Sequence, residues 1–124
     1  MNQKVLVVDD DEGNRELFVS VLGYMDNVVG VAIDNPTCAL KAFNKGGYDL
    51  ILTDLEMHSD SEAGFKFIVE VRKINIKVPI IMITGKTDDE IRRLGIEYGA
   101  NHVLYKPIKV EALIGVIQEC LDAS

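Results

Sequence analysis

Tryptophan is absent, cysteine and histidine occur twice each, and proline occurs three times. Each scarcity excludes something. Cys38 and Cys120 lie far apart with no Cys-x-x-Cys spacing, so neither a disulfide scaffold nor a zinc or redox motif is available. Both fall among helical apolar positions and read as reduced, core-facing thiols. No apolar run approaches the roughly 20 residues a helix needs to cross a bilayer. Met1-Asn2-Gln3-Lys4 leads straight into a short apolar run and then acids, without the pattern of a secretory signal. Positive charge is also in short supply. Thirteen Lys and Arg face 20 Asp and Glu, for a net charge of −7. That balance disfavours nucleic-acid and anionic-membrane surfaces, which need cations to meet phosphates. No low-complexity tract marks a linker or a tail.

What remains is ordinary globular material, 48% apolar and 27% charged over 124 residues. One domain is expected at this length. Short β-rich runs alternate with helical periods. The runs are Val5–Val8, Val28–Ile33, Leu50–Asp54, Val78–Ile83 (with Pro79 at its edge) and His102–Tyr105. Between them, Glu12 to Gly23 carries Leu17, Phe18, Val21 and Leu22 at helical spacing. Pro36 opens a helix that turns Ala39, Leu40 and Phe43 inward and stops at Gly46-Gly47. Ser61 is placed to cap a helix bearing Phe65, Ile68, Val69 and Val71. Thr87 to Glu90 reads as a capping box before Ile91, Leu94 and Tyr98, with Gly99 as the stop. A last helix carries Val110, Leu113, Ile114, Ile117 and Leu121. Five β-α units with buried strands predict a doubly wound parallel α/β sandwich of three layers.

In such sheets ligands bind beyond the carboxyl ends of the strands. Asp9, Asp10 and Asp11 follow the first strand, and Asp54 ends the third. Thr84 and Gly85 follow the fourth, and Lys106-Pro107 follows the fifth. Carboxylates gathered at one rim repel unless a cation sits among them. An oxygen-only donor set favours a hard divalent ion such as Mg2+. Lys106 and the Thr84 hydroxyl add donors that suit a phosphoryl group. Asp54, at the end of the middle strand, is the candidate nucleophile for an aspartyl-phosphate. Asp11 and Glu12 read as favourable charges at a helix start.

These residues resemble a family. Val7-Val8-Asp9-Asp10, Tyr48 to Asp54, Pro79 to Gly85, and Gly99-Ala100 through Tyr105-Lys106-Pro107 together look like the receiver domain of two-component response regulators. The resemblance covers essentially the whole chain, 1–124, and implies the flavodoxin-like (βα)5 fold with strand order 2-1-3-4-5. It implies that Asp54 accepts phosphoryl from a phosphohistidine. Asp10, the Asp54 carboxylate and the backbone carbonyl of Glu56 would ligate Mg2+, with Mn2+ able to substitute, while Asp9 would act mainly through water. Thr84 would bond the phosphoryl group, Lys106 would pair with it, and the backbone of Glu56 and Gly85 would contact it. Pro107 would follow a cis peptide bond.

The chain departs from the family at two places. Where the family usually has Met-Pro and soon Asp-Gly, the chain reads Met57-His58-Ser59-Asp60-Ser61-Glu62-Ala63-Gly64, about two residues longer. His58 reads as an exposed loop histidine. The switch aromatic of the fifth strand corresponds to Val103, so switching is expected from movement around Thr84 to Tyr98. Glu56 and Lys86 occupy the variable positions that flank the hydrolytic water, and as opposite charges they would shield the pocket and slow dephosphorylation.

The expected function is a cytoplasmic signalling switch that only assists its own phosphorylation and dephosphorylation. Its partners would be a histidine kinase or histidine phosphotransfer protein, and a downstream protein on the fourth helix, fifth strand and fifth helix. It would be a monomer or weak dimer without an effector domain, either free-standing or a piece of a larger chain. One alternative is a pseudo-receiver that binds without phosphorylation. Another is an aspartyl-phosphate hydrolase, against which stands Glu56, where such enzymes carry a second Asp. A flavin domain is weaker still, because no Gly- or Ser/Thr-rich loop follows the first strand.

Overall fold

The computed structural model describes residues 2–123. Met1 and Ser124, the ends of the expected single domain, lie outside the described residues. The chain alternates strictly: β1 (Gln3–Val8), α1 (Glu12–Gly23), β2 (Val28–Ile33), α2 (Pro36–Asn44), β3 (Leu50–Asp54), α3 (Ala63–Ile74), β4 (Ile80–Thr84), α4 (Asp89–Tyr98), β5 (His102–Tyr105) and α5 (Val110–Asp122). All strand pairs are parallel, in the order β2-β1-β3-β4-β5. The doubly wound fold and its order are therefore as expected.

Alternation along each strand divides the core into two layers. Leu6, Val8, Ile51, Ile80, Met82 and Val103 face α2, α3 and α4. Val5, Val7, Leu50, Leu52, Ile81 and Ile83 face α1 and α5. The central strands are buried on both sides, which is why they read as unbroken apolar runs. Strand β2 lies at the sheet edge and is only partly covered.

Several local expectations fail. Cys38 is exposed, because the inward stripe of α2 runs through Ala39 and Phe43; Cys120 is buried as expected. Leu17, Tyr98 and Val110 are exposed, each at the edge of its helix's apolar stripe. Ser61 caps nothing. Helix α3 begins after Glu62 with no side-chain cap, and Asp60 takes the Glu62 N–H at 2.9 Å instead. The Thr87–Glu90 box does not form. Asp88 is the N-cap of α4, one residue late for that spacing, and makes no side-chain cap bond. Strand β4 starts at Ile80 rather than Val78, and Val78 and Pro79 lead into it. Asp11 and Asn35 do cap α1 and α2, accepting from Asn14 N–H and Cys38 N–H at 2.8 Å.

Phe67, absent from the expected face of α3, is 2% exposed in the larger core layer. Truncating it to alanine should cost about 3–5 kcal/mol of unfolding free energy by chemical denaturation. Cys38→Ser should stay within about 0.5 kcal/mol of wild type. Equal losses for the two would contradict this packing.

Candidate functional site

The carboxyl ends of β1, β3, β4 and β5 meet at one rim. Registers Val8↔Thr53, Asp54↔Ile83 and Thr84↔Tyr105 set the strand ends level. The chain then places Asp9 and Asp10 beyond β1, Asp54 at the end of β3, Thr84 at the end of β4 and Lys106 just beyond β5. Asp9, Asp10 and Asp54 each offer a carboxylate oxygen within 4.8 Å of the others. Lys106 Nζ lies 3.1 Å from Asp54 Oδ2 and 3.4 Å from Asp9 Oδ2. Its backbone N–H donates to the Thr84 carbonyl at 2.8 Å, which fixes the lysine over the rim.

The acids are graded by burial. Asp9 is 1% exposed, Asp54 half-buried and Asp10 exposed. Asp9 Oδ1 accepts the Asp11 N–H at 2.9 Å, and its carbonyl accepts from Arg15 Nη1 at 3.0 Å. Asp54 Oδ1 accepts the Leu55 N–H at 2.7 Å. Burial pushes the Asp54 carboxyl above the usual carboxylate range; Lys106 pulls it down and Asp9 pushes it up again. Among the described residues, every buried side-chain nitrogen or oxygen has a partner. The unbalanced feature is charge: three acids and one lysine. An oxygen-only set this compact fits a hard divalent cation, with Asp10 the exposed member.

Thr84 is buried, and its Oγ1 accepts the Lys86 N–H at 3.1 Å. That bond leaves the hydroxyl proton free to donate. The Lys86 and Glu56 side chains meet at 3.7 Å across the mouth, each about half exposed. Gly85 is exposed beside Thr84. Val103 is buried and pairs with Met82, two residues before the level of Thr84. A Cβ on Gly95 would come within 2.8 Å of Val103 Cγ2 and 3.0 Å of Met82 Cε, so α4 lies tightly on this valine. The Lys106-Pro107 bond is cis.

Three contributors were not foreseen. The Thr53 hydroxyl, fully buried, donates to the Asp54 carbonyl at 2.9 Å. Gly64 brings the start of α3 against that same carbonyl: its N–H donates to the Leu55 carbonyl at 2.7 Å, and any Cβ there would collide with Asp54 and Leu55 backbone. The third is His58, whose backbone N–H donates to Asp10 Oδ2 at 2.9 Å. A threonine inside an apolar strand was a visible signal for the first. The His58 contact depends on a turn geometry that spacing does not reveal.

A parallel doubly wound sheet with an acidic rim, a lysine and a hydroxyl defines a phosphoryl-accepting type of domain. The family model for the response regulator receiver domain matches residues 5–118, and the chain belongs to that family. It is 34% identical to the DNA-binding response regulator MtrA of Mycobacterium tuberculosis over 121 residues, covering 95% of this chain and 50% of that protein. It is 34% identical to the transcriptional regulatory protein CiaR of Streptococcus pneumoniae over 122 residues, covering 98% and 52%. The chain thus spans about half the length of the curated relatives it matches. The chemotaxis response regulator CheY4 of Vibrio cholerae superposes with a TM-score of 0.86 at 29% identity, covering 98% of this chain and 100% of that one. The chain is a receiver domain of a response regulator, and domains of this family act as signalling switches. No helix among the described residues is long and apolar enough to cross a membrane.

The raised Asp54 pKa has a consequence for stability. The protonated form is favoured in the fold, so the contribution of Asp54 to stability is fully present below the ordinary value of 3.8 and is lost as pH rises through the raised value. Asp54→Asn imitates the neutral form. Without divalent cation, the variant should be more stable than wild type at neutral pH. The gap should close as pH falls toward 3.8. Denaturation curves across pH would contradict this if the variant were the less stable at neutral pH.

Proposed function

We propose that this receiver takes a phosphoryl group onto Asp54 from a phosphohistidine, in a Mg2+-dependent reaction, and then presents an altered surface to a partner protein. The observation that carries the reading is the Asp54 carboxylate clustered with the two acids beyond β1 and 3.1 Å from the Lys106 ammonium. An Asp54 oxygen attacks phosphorus, the bond from phosphorus to the donor imidazole nitrogen breaks, and the imidazole leaves. Lys106 is within reach of the charge that builds at the acceptor. Thr84 offers its free hydroxyl proton, and the backbone of Glu56 and Gly85 offers further contacts. Asp10, Asp54 and the Glu56 carbonyl would hold Mg2+, with Asp9 behind them through water and Mn2+ a possible substitute. When bound, the ion draws negative charge from the phosphoryl oxygens.

The donor is a histidine kinase or a histidine phosphotransfer protein. Output passes through α4, β5 and α5 to a downstream protein. The phosphoryl signal reaches that face through Thr84 and α4, with Val103 too small and too tightly covered to act as a swinging ring. Residues 1–124 work as one receiver in the cytoplasm, as a monomer or weak dimer, without nucleic-acid or membrane contact of their own. Catalysis is confined to the domain's own phosphorylation and hydrolysis. DNA binding belongs to the relative named for it. The complete acidic set with Thr84 and Lys106 favours this reading over a phosphorylation-independent module.

With acetyl phosphate and Mg2+, wild type should label once, and Asp54→Asn should not label. Undiminished labelling of the variant would refute the assignment. The Glu56–Lys86 pair lies across the approach to Asp54, so Glu56→Ala with Lys86→Ala should shorten the acyl-phosphate lifetime several-fold. An unchanged lifetime would remove the shielding role.

A further inference from the structure

His58 stands where the resembled family usually has proline, in the segment that is about two residues longer. The extra residues form a small hairpin. Met57 and Asp60 pair in both directions, N–H to carbonyl, at 3.2 and 3.0 Å. His58 and Ser59 at its tip have φ of 51° and 65°. Two successive positive values are the sign pattern of a type I′ turn. Met57, 1% exposed, anchors the base of the hairpin in the core.

From this tip His58 makes two contacts. Its N–H donates to Asp10 Oδ2 at 2.9 Å. Its ring Nε2 lies 2.7 Å from the carbonyl oxygen of Asp34, just beyond β2. A carbonyl only accepts, so the nitrogen facing it carries a hydrogen. One residue therefore ties the segment after β3 to the chain just beyond β1 and β2. Proline could do neither: it has no N–H, and its φ is fixed near −65°.

We propose that His58 is a positioning residue for Asp10: the ring anchors the hairpin to Asp34, and the anchored N–H fixes the Asp10 carboxylate for cation binding. This rests on the reading of the acidic rim as the cation site. A carboxylate has two oxygens, and holding one sets the direction of the other. Exposed Asp10 would otherwise sample several rotamers, and ordering it would cost entropy at each binding event. His58 itself touches neither the ion nor the phosphoryl group. Partners that orient a metal ligand commonly matter by about 10- to 100-fold in affinity.

The test is direct Mn2+ binding to the full chain, read as the loss of the free-ion electron paramagnetic resonance signal. His58→Ala keeps the N–H and loses the tether, and should weaken binding about tenfold. His58→Gln restores a donor able to reach the Asp34 carbonyl, and should recover most of the affinity. His58→Pro, which returns the family residue, should bind no better than His58→Ala. Cation-free unfolding midpoints of the alanine and glutamine variants should agree, which separates positioning from folding. Wild-type affinity in His58→Ala would overturn the proposal, as would a glutamine variant no better than alanine. A wild-type chain that binds no Mn2+ would overturn the cation site itself, a distinguishable result.

Discussion

Three carboxylates held within 4.8 Å of one another by two different stretches of chain, the segment after β1 and the end of β3, are the constraint on which this structure turns. Like charges at that distance oppose folding unless something offsets them. In the cation-free protein the offset is Lys106, fixed by its own N–H to the Thr84 carbonyl and reaching both Asp54 and Asp9. One positive charge among three negative ones leaves the rim short of positive charge. The surrounding residues then arrange the acids rather than neutralise them: Leu55 N–H on Asp54, Asp11 N–H on Asp9, and His58 N–H on Asp10. On the proposed reading, stability is spent on a site that favours binding a cation and then a phosphoryl group.

The rest of the fold serves that rim. The level strand ends follow from parallel registers, and those follow from apolar runs buried on both faces. Gly64 lets α3 start against the Asp54 carbonyl, and Phe65, next in the chain, meets the Tyr98 ring at the end of α4 with centroids 5.2 Å apart. Gly95 lets α4 close onto Val103 and Met82. Asp54, the proposed acceptor, is therefore joined to the proposed output helix through packed side chains on one face of the sheet.

Much of this was legible in the sequence, for definable reasons. Apolar runs ending in Asp9-Asp10, Asp54, Thr84 and Lys106 mark strand ends, and the doubly wound topology brings those ends to one side. The opposite charges of Glu56 and Lys86 announced a contact that the structure shows at 3.7 Å. What stayed hidden depends on backbone angles or on a one-residue phase. Cys38 sits one step from the buried Ala39, and a helical step of one residue exchanged core for solvent there, whereas the inward stripe of α3 runs through Gly64, Phe67, Ile68 and Val71 and is wider than the one expected. The cap expected at Ser61 does not form because the N–H groups it would accept are already taken, Ala63 by the Asp60 carbonyl and Gly64 by the Leu55 carbonyl. His58 looked like an exposed loop histidine, and its side of the residue is exposed; its backbone is what reaches the site.

The central claim is that the acidic rim is a cation site whose repulsion the fold tolerates until the ion arrives. The most direct measurement is the thermal unfolding midpoint of the wild-type chain as Mg2+ is titrated. A site that binds the folded form alone must stabilise it with the logarithm of one plus the ratio of free ion to dissociation constant, by mass action. The account predicts a midpoint that rises with the logarithm of Mg2+ above a single dissociation constant, a rise abolished when Asp10 and Asp54 are both changed to asparagine. A midpoint that ignores Mg2+, or that rises equally in the doubly neutralised variant, would contradict it.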